Sequence, residues 1–79
     1  MPVKPRPNAQ EDLPVSHLHP RLKQLSAEYQ ADRSTNKSHI YFSRPTQRWL
    51  RVISPRAGTC RIEYWVDCPC AFLEVLEAS

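Results

Sequence analysis

The feature that most constrains this chain is a succession of short β-rich runs, HIYFS, QRWLRVIS, TCRIEYWVD and AFLEVLE, set close together between Ser38 and Glu77. Loops that short point to antiparallel hairpins, because a parallel pair needs a crossover of about a dozen residues or more. Side chains on a strand alternate faces, so one choice of register decides which residues lie together.

The four runs can be written as one meander. Centring the first hairpin on Pro45 sets Ile40 opposite Leu50 and Tyr41 opposite Trp49. Centring the second on Ala57 sets Trp49 against Trp65, Leu50 against Tyr64, Arg51 against Glu63 and Val52 against Ile62. A third turn through Asp67 and Cys70 brings Leu73 to Tyr64, Val75 to Ile62 and Phe72 to Trp65. An inner row of Ile40, Leu50, Tyr64 and Leu73 then crosses the sheet, with an outer row of Tyr41, Trp49, Trp65 and Phe72 behind it. Aromatic and β-branched cross-strand pairs contribute roughly 0.2–1 kcal/mol each, so their agreement on one register carries weight. Glu63 opposite Glu74 is a like-charge cost for Arg51 or Arg61 to relieve. Residues Cys70 to Ala78 also fit helical spacing through Phe72, Leu73, Val75 and Leu76; the strand is the reading adopted.

Upstream, Leu18, Leu22, Leu25 and Tyr29 recur at intervals of four, three and four, one apolar stripe on a helix. Pro20 suits its first turn, with Ser16 or His19 as the cap. The helix should fade between Asp32 and Thr35, where short polar side chains compete for backbone hydrogen bonds, and DRSTNKS reads as a polar connection. Met1 to Pro14 hold four prolines and few apolar groups, too little burial to offset the entropy of ordering. Residues 1–15 are therefore expected to be a flexible proline-rich arm, with Leu13 and Val15 as its anchors, and residues 16–79 a single small domain. The expected fold is α+β: one N-terminal helix packed on a four-stranded antiparallel β-meander, in the order α-β-β-β-β.

A chain of 79 residues buries only about 60% of its unfolded surface, so the core must be thin. Eight prolines against one glycine, Gly58, exclude a glycine-rich phosphate cradle. No apolar run is long enough to span a bilayer and the first residues lack a signal-peptide core, which leads us to expect a soluble, cytoplasmic protein. Three cysteines, an odd number, fit a reducing compartment better than a disulfide framework, with one bridge plus a free thiol as the alternative.

Sequence patterns for catalysis are thin. His17, His19, His39, Cys60, Cys68 and Cys70 supply zinc-type ligands, but Cys68 and Cys70 are one residue apart where structural sites leave two to four, and a tight turn accounts for them better. Nothing places a cysteine nucleophile beside a histidine base, and Glu63 and Glu74 lack a pocket to tune them. We expect no enzyme, no cofactor and no metal.

The outer row remains. Four aligned aromatics would expose more than the roughly 300–600 Å² of the largest apolar patch on an ordinary monomer, so something should cover them: the arm, a second copy in a homodimer, or a partner. The net charge of +3 is carried into the hairpins by arginine. The candidate partner-binding residues are accordingly Tyr41, Trp49, Trp65 and Phe72 with Arg48, Arg51, Arg56 and Arg61. Trp, Tyr and Arg are enriched at the centres of protein interfaces, and aromatics flanked by arginines also make stacking platforms for single-stranded nucleic acid. The leading expectation is a small non-catalytic binding protein that docks on a protein or nucleoprotein complex, an inhibitor or accessory factor of the kind mobile elements such as phage deploy (anti-CRISPR-like). A single-stranded nucleic-acid-binding module is the alternative, and a zinc-binding module a third.

Overall fold

The computed structural model describes residues 4–78. In chain order it contains β1 (Ala9–Pro14), α1 (Val15–Leu25), β2 (Gln30–Ser34), β3 (His39–Ser43), β4 (Arg48–Arg56), β5 (Thr59–Trp65), a 3₁₀ turn (Pro69–Phe72) and α2 (Leu73–Glu77). The strands form one five-stranded antiparallel sheet ordered β1-β5-β4-β3-β2. The α+β class and the β4–β5 hairpin agree with expectation; the β3–β4 register, the strand count, the N-terminal arm and the C-terminal segment are corrected. No helix among the described residues is long and apolar enough to cross a membrane.

The β4–β5 hairpin has the expected register, with Trp49, Leu50, Arg51 and Val52 opposite Trp65, Tyr64, Glu63 and Ile62. Gly58 closes its tip at φ 79°, a conformation open to a residue without Cβ. The β3–β4 hairpin is slipped by one residue: Tyr41 meets Leu50, Ile40 meets Arg51 and Phe42 meets Trp49. Its loop takes four residues instead of three because Ser43 closes it from below. The Ser43 carbonyl accepts the Gln47 N–H (2.8 Å), the Ser43 Oγ accepts the Thr46 hydroxyl (2.8 Å), and Gln47 adopts φ 58°. That slip exchanges the faces of β3 relative to β4. Tyr41 joins Leu50 under the helix, while Ile40 and Phe42 lie on the other face with Arg51 and Trp49.

Half of the expected flexible arm is a strand. Ala9 to Pro14 pair with β5, Ala9 opposite Tyr64 and Asp12 opposite Arg61. Three charged contacts fasten it. Asp12 accepts from Arg61 Nε at 2.6 Å, Glu11 accepts from Arg21 Nε at 3.1 Å, and Tyr64 donates its hydroxyl to Glu11. The arm reading for residues 1–3 lies outside the described residues, as does the domain reading for Ser79.

This edge strand explains why AFLEVLE is not a strand. A strand has two hydrogen-bonding edges, and those of β5 are taken by β4 and β1. The C-terminal segment has no edge left to pair with, so its helical spacing prevails and it folds back over the sheet as the 3₁₀ turn and α2. At the opposite end, residues 30–34 form the edge strand β2 instead of a helix tail and loop, paired to β3 through a bulge between Ala31 and Arg33. Bulges and charges are usual protections of an open edge.

The sheet is thus covered on both faces. Helix α1 lies on one, where Leu18, Leu22, Leu25 and Tyr29 pack with Leu13 and Tyr41 onto Leu50, Val52 and Ile62. The apolar stripe serves as expected, although the helix ends at Leu25 and Tyr29 follows it in the turn. Val15 opens the helix, and Pro20 falls inside it, not in its first turn; the missing N–H leaves the Ser16 carbonyl without a helical donor. The C-terminal cap lies on the other face, with Leu76 buried. Cys68 and Cys70 are bridged to each other and Cys60 is a buried free thiol, the one-bridge alternative.

Candidate interaction surface

The face beneath the C-terminal cap holds most of the residues singled out from the sequence. Pairing across β3, β4 and β5 lines up Phe42, Trp49 and Trp65. The aromatic row therefore exists with Phe42 in place of Tyr41. Phe72 belongs to it differently: it reaches Trp65 from the 3₁₀ turn, ring centroids 6.4 Å apart, instead of extending the row from a fourth strand. Within the chain, the element that covers Trp65 is the C-terminal cap and not the N-terminal arm.

Under the cap runs a continuous polar chain. Trp65 Nε1 and Arg51 Nη1 both donate to Oε1 of Glu63, each at 3.0 Å. Arg51 Nε donates to Ser38 Oγ at 2.9 Å, and that hydroxyl donates to Glu77 Oε2 at 2.6 Å. Thr35 Oγ1 donates to the same carboxylate oxygen, and Lys37 Nζ reaches the Glu77 carbonyl at 2.8 Å. Arg51, Glu63, Ser38 and Trp65 are all buried, and no buried side-chain N or O among the described residues lacks a partner. Full satisfaction is what makes a buried polar network tolerable, since each unpaired member would cost its desolvation. The hydroxyls of Ser38 and Thr35 hold the Glu77 carboxyl below its ordinary value of 4.5.

These contacts sort the candidate arginines. Arg51 is engaged with Glu63, and Arg61 is paired with Asp12, whose carboxyl that hydrogen bond lowers. Arg48 and Arg56 are exposed and make no ion pair among the described residues, but Arg48 lies beside Tyr29 and Tyr64 of the helix face and Arg56 at the far hairpin tip. Tyr41 is withdrawn to the helix face and Trp65 is 4% exposed. Of the four aromatics named, only Trp49 and Phe72 stay partly exposed on this face.

Two residues outside the expected partner-binding set complete the accessible patch. Phe42 packs against Trp49 with ring centroids 4.3 Å apart and the rings tilted by 38°, both partly exposed. Arg44, exposed and without an ion pair among the described residues, lines with Phe42, Gln30, Ala31 and Asp32 a groove of about 240 Å³. Ring pairs at such distances add about 0.5–1.5 kcal/mol beyond their burial, so the two aromatics form one preset surface. The signal was available: Phe42 pairs with Trp49 as well as Tyr41 does once the loop takes one more residue.

Bridging removes Cys68 and Cys70 as thiolate ligands, and no group of three or more His, Cys, Asp and Glu able to hold a metal occurs among the described residues. A larger groove of about 470 Å³ runs beside the cap between Lys4, Ser54, Arg51, Leu76 and Glu77. Compared with protein-family models, curated proteins and solved structures, the chain gives no significant match.

Proposed function

We propose that this chain is a small non-catalytic binding protein that docks on a protein partner through Phe42 and Trp49, with Arg44 at the rim. The observation that carries the reading is the closely packed, partly exposed Phe42–Trp49 pair on the part of the sheet face that the cap leaves accessible. A rigid aromatic pair costs little ordering entropy on binding, which is why such groups anchor interfaces. An inhibitor or accessory factor, as mobile elements employ, is the role that fits a chain of this size.

Consumption of Arg51 and Arg61 in internal pairs supports a protein partner over single-stranded nucleic acid. It leaves few cations to track a phosphate backbone. The test is capture of partners from the native host with and without nuclease, followed by salt titration of the complex. Contact with a single strand costs roughly 0.7 logarithmic units of affinity per logarithmic unit of salt for each phosphate engaged. Aromatic anchoring on a protein gives a shallow dependence and loss of capture in Phe42→Ala and Trp49→Ala. Micromolar binding of a mixed-sequence oligonucleotide at physiological salt, abolished by Trp49→Ala, would replace the proposal with the nucleic-acid reading.

A further inference from the structure

The C-terminal cap is attached to the sheet at two points of different chemistry. Its far end is held by Glu77 on Ser38 and Thr35. Its near end leaves β5 through Val66 to Cys68, and there Cys68 and Cys70 are joined with their Cα atoms 5.3 Å apart, only two positions apart in sequence. Between them Pro69 is fully buried, and two residues beyond the bridge Phe72 stacks on Trp65. The hydrogen bond that spans both cysteines is a long one, Ala71 N–H to the Cys68 carbonyl at 3.4 Å.

We propose that Cys68–Cys70 is a thiol–disulfide exchange site for low-molecular-weight thiols, and that its opening releases Phe72 from Trp65 and lengthens the accessible aromatic row. Three features carry this. The bridge closes the smallest of loops, so it constrains the unfolded chain very little and cannot be a staple of the whole fold. Both cysteines are partly exposed, within reach of a small nucleophile, unlike Cys60, which is buried at 5% exposure on the helix face. The segment it organises rests on side chains and not on a β-ladder, the condition for opening locally while the sheet stays intact.

The exchange balances with a thiol as reductant. A thiolate attacks one cysteine sulfur and forms a mixed disulfide; the Cys68–Cys70 bond breaks, and the departing sulfur keeps the electron pair and takes up a proton. A second thiol attacks the mixed disulfide, giving the oxidised small disulfide and the second cysteine as thiol. An oxidised small disulfide runs the same steps backward. The site does not depend on which partner the aromatic face binds.

The experiment uses the full chain equilibrated with dithiothreitol or with oxidised glutathione. Free thiols are counted after denaturation, and hydrogen exchange is followed by mass spectrometry. We expect one thiol per chain after oxidised glutathione and three after dithiothreitol, with exchange in residues 68–78 rising about tenfold on reduction and the five strands unchanged. Cys68→Ser/Cys70→Ser should exchange at the fast rate in both buffers. Three thiols after oxidised glutathione would overturn the proposal. So would reduction that leaves residues 68–78 unchanged, or that loosens the entire sheet.

Discussion

Arg51 on β4 and Glu63 on β5 stand directly opposite each other, each 5% exposed, with Nη1 and Oε1 3.0 Å apart. Breaking a buried pair from one side strands the other charge and costs about 3–5 kcal/mol, whereas replacing both partners with apolar groups can be nearly neutral. We expect Arg51→Met or Glu63→Leu to unfold at much lower urea, and Arg51→Met/Glu63→Leu to recover a good part of the loss. A double-mutant cycle in urea measures it; simple additivity would show that the pair is not coupled.

Trp65 and Trp49 should behave differently although they face each other across the same ladder. Trp65 is 4% exposed and hydrogen-bonded to Glu63, so Trp65→Ala should cost about 3–5 kcal/mol. Trp49→Ala should melt close to the parent and lose partner capture instead. Leu50, fully buried between helix and sheet, should not tolerate alanine, at a cost of about 2–5 kcal/mol. Thermal melting of the three variants separates these outcomes.

Acid should loosen the cap before the sheet. The Glu77 carboxyl is lowered below 4.5 by Ser38 and Thr35, so its contribution is fully present above that ordinary value and is lost as pH falls through the depressed one. Relative to the intrinsic amide rate at each pH, hydrogen exchange of α2 should therefore accelerate as pH falls below 4.5. In Glu77→Gln, which keeps an acceptor oxygen but no titrating group, that acceleration should vanish.

Tyr64→Phe tests the fastening of β1. The hydroxyl donates to Glu11 and accepts from Arg21 Nη2 at 3.1 Å, and it is the leading cause of the lowered Glu11 carboxyl. Because Glu11 and Arg21 are more than a third exposed, the loss should be only about 1 kcal/mol. It should appear as faster exchange confined to β1 and the middle of α1.

The central hairpin was legible because its pairs are self-consistent on both faces, with Arg51 against Glu63 and Val52 against Ile62 leaving no better register. The neighbouring hairpin was misplaced by one residue because its register rests on a hydroxyl and a left-handed Gln47, which no apolar pattern records. β1 was hidden for a related reason. Its six residues carry one large apolar side chain, Leu13, and the strand is fixed by partners far along the chain. With β1 unseen, the open side of β5 seemed to invite AFLEVLE, and one missed edge strand became a wrong fourth strand. In the candidate surface, Trp49 survived the slip and Phe42 was lost to it.

Placing β1 beside β5 also fixes an order of events at synthesis. β1 leaves the ribosome well before the strand it pairs with and must wait for it, since Ala9 pairs with Tyr64 far along the chain, and closing so long a loop is the slow part of assembling a sheet. Until then β5 shows a bare edge carrying Ile62 and Cys60, open to the β1 segment of any neighbouring nascent copy. Exchange of that segment between two chains would rebuild every native contact in a dimer, so crowded translation is the setting in which this small protein is most exposed to strand swapping.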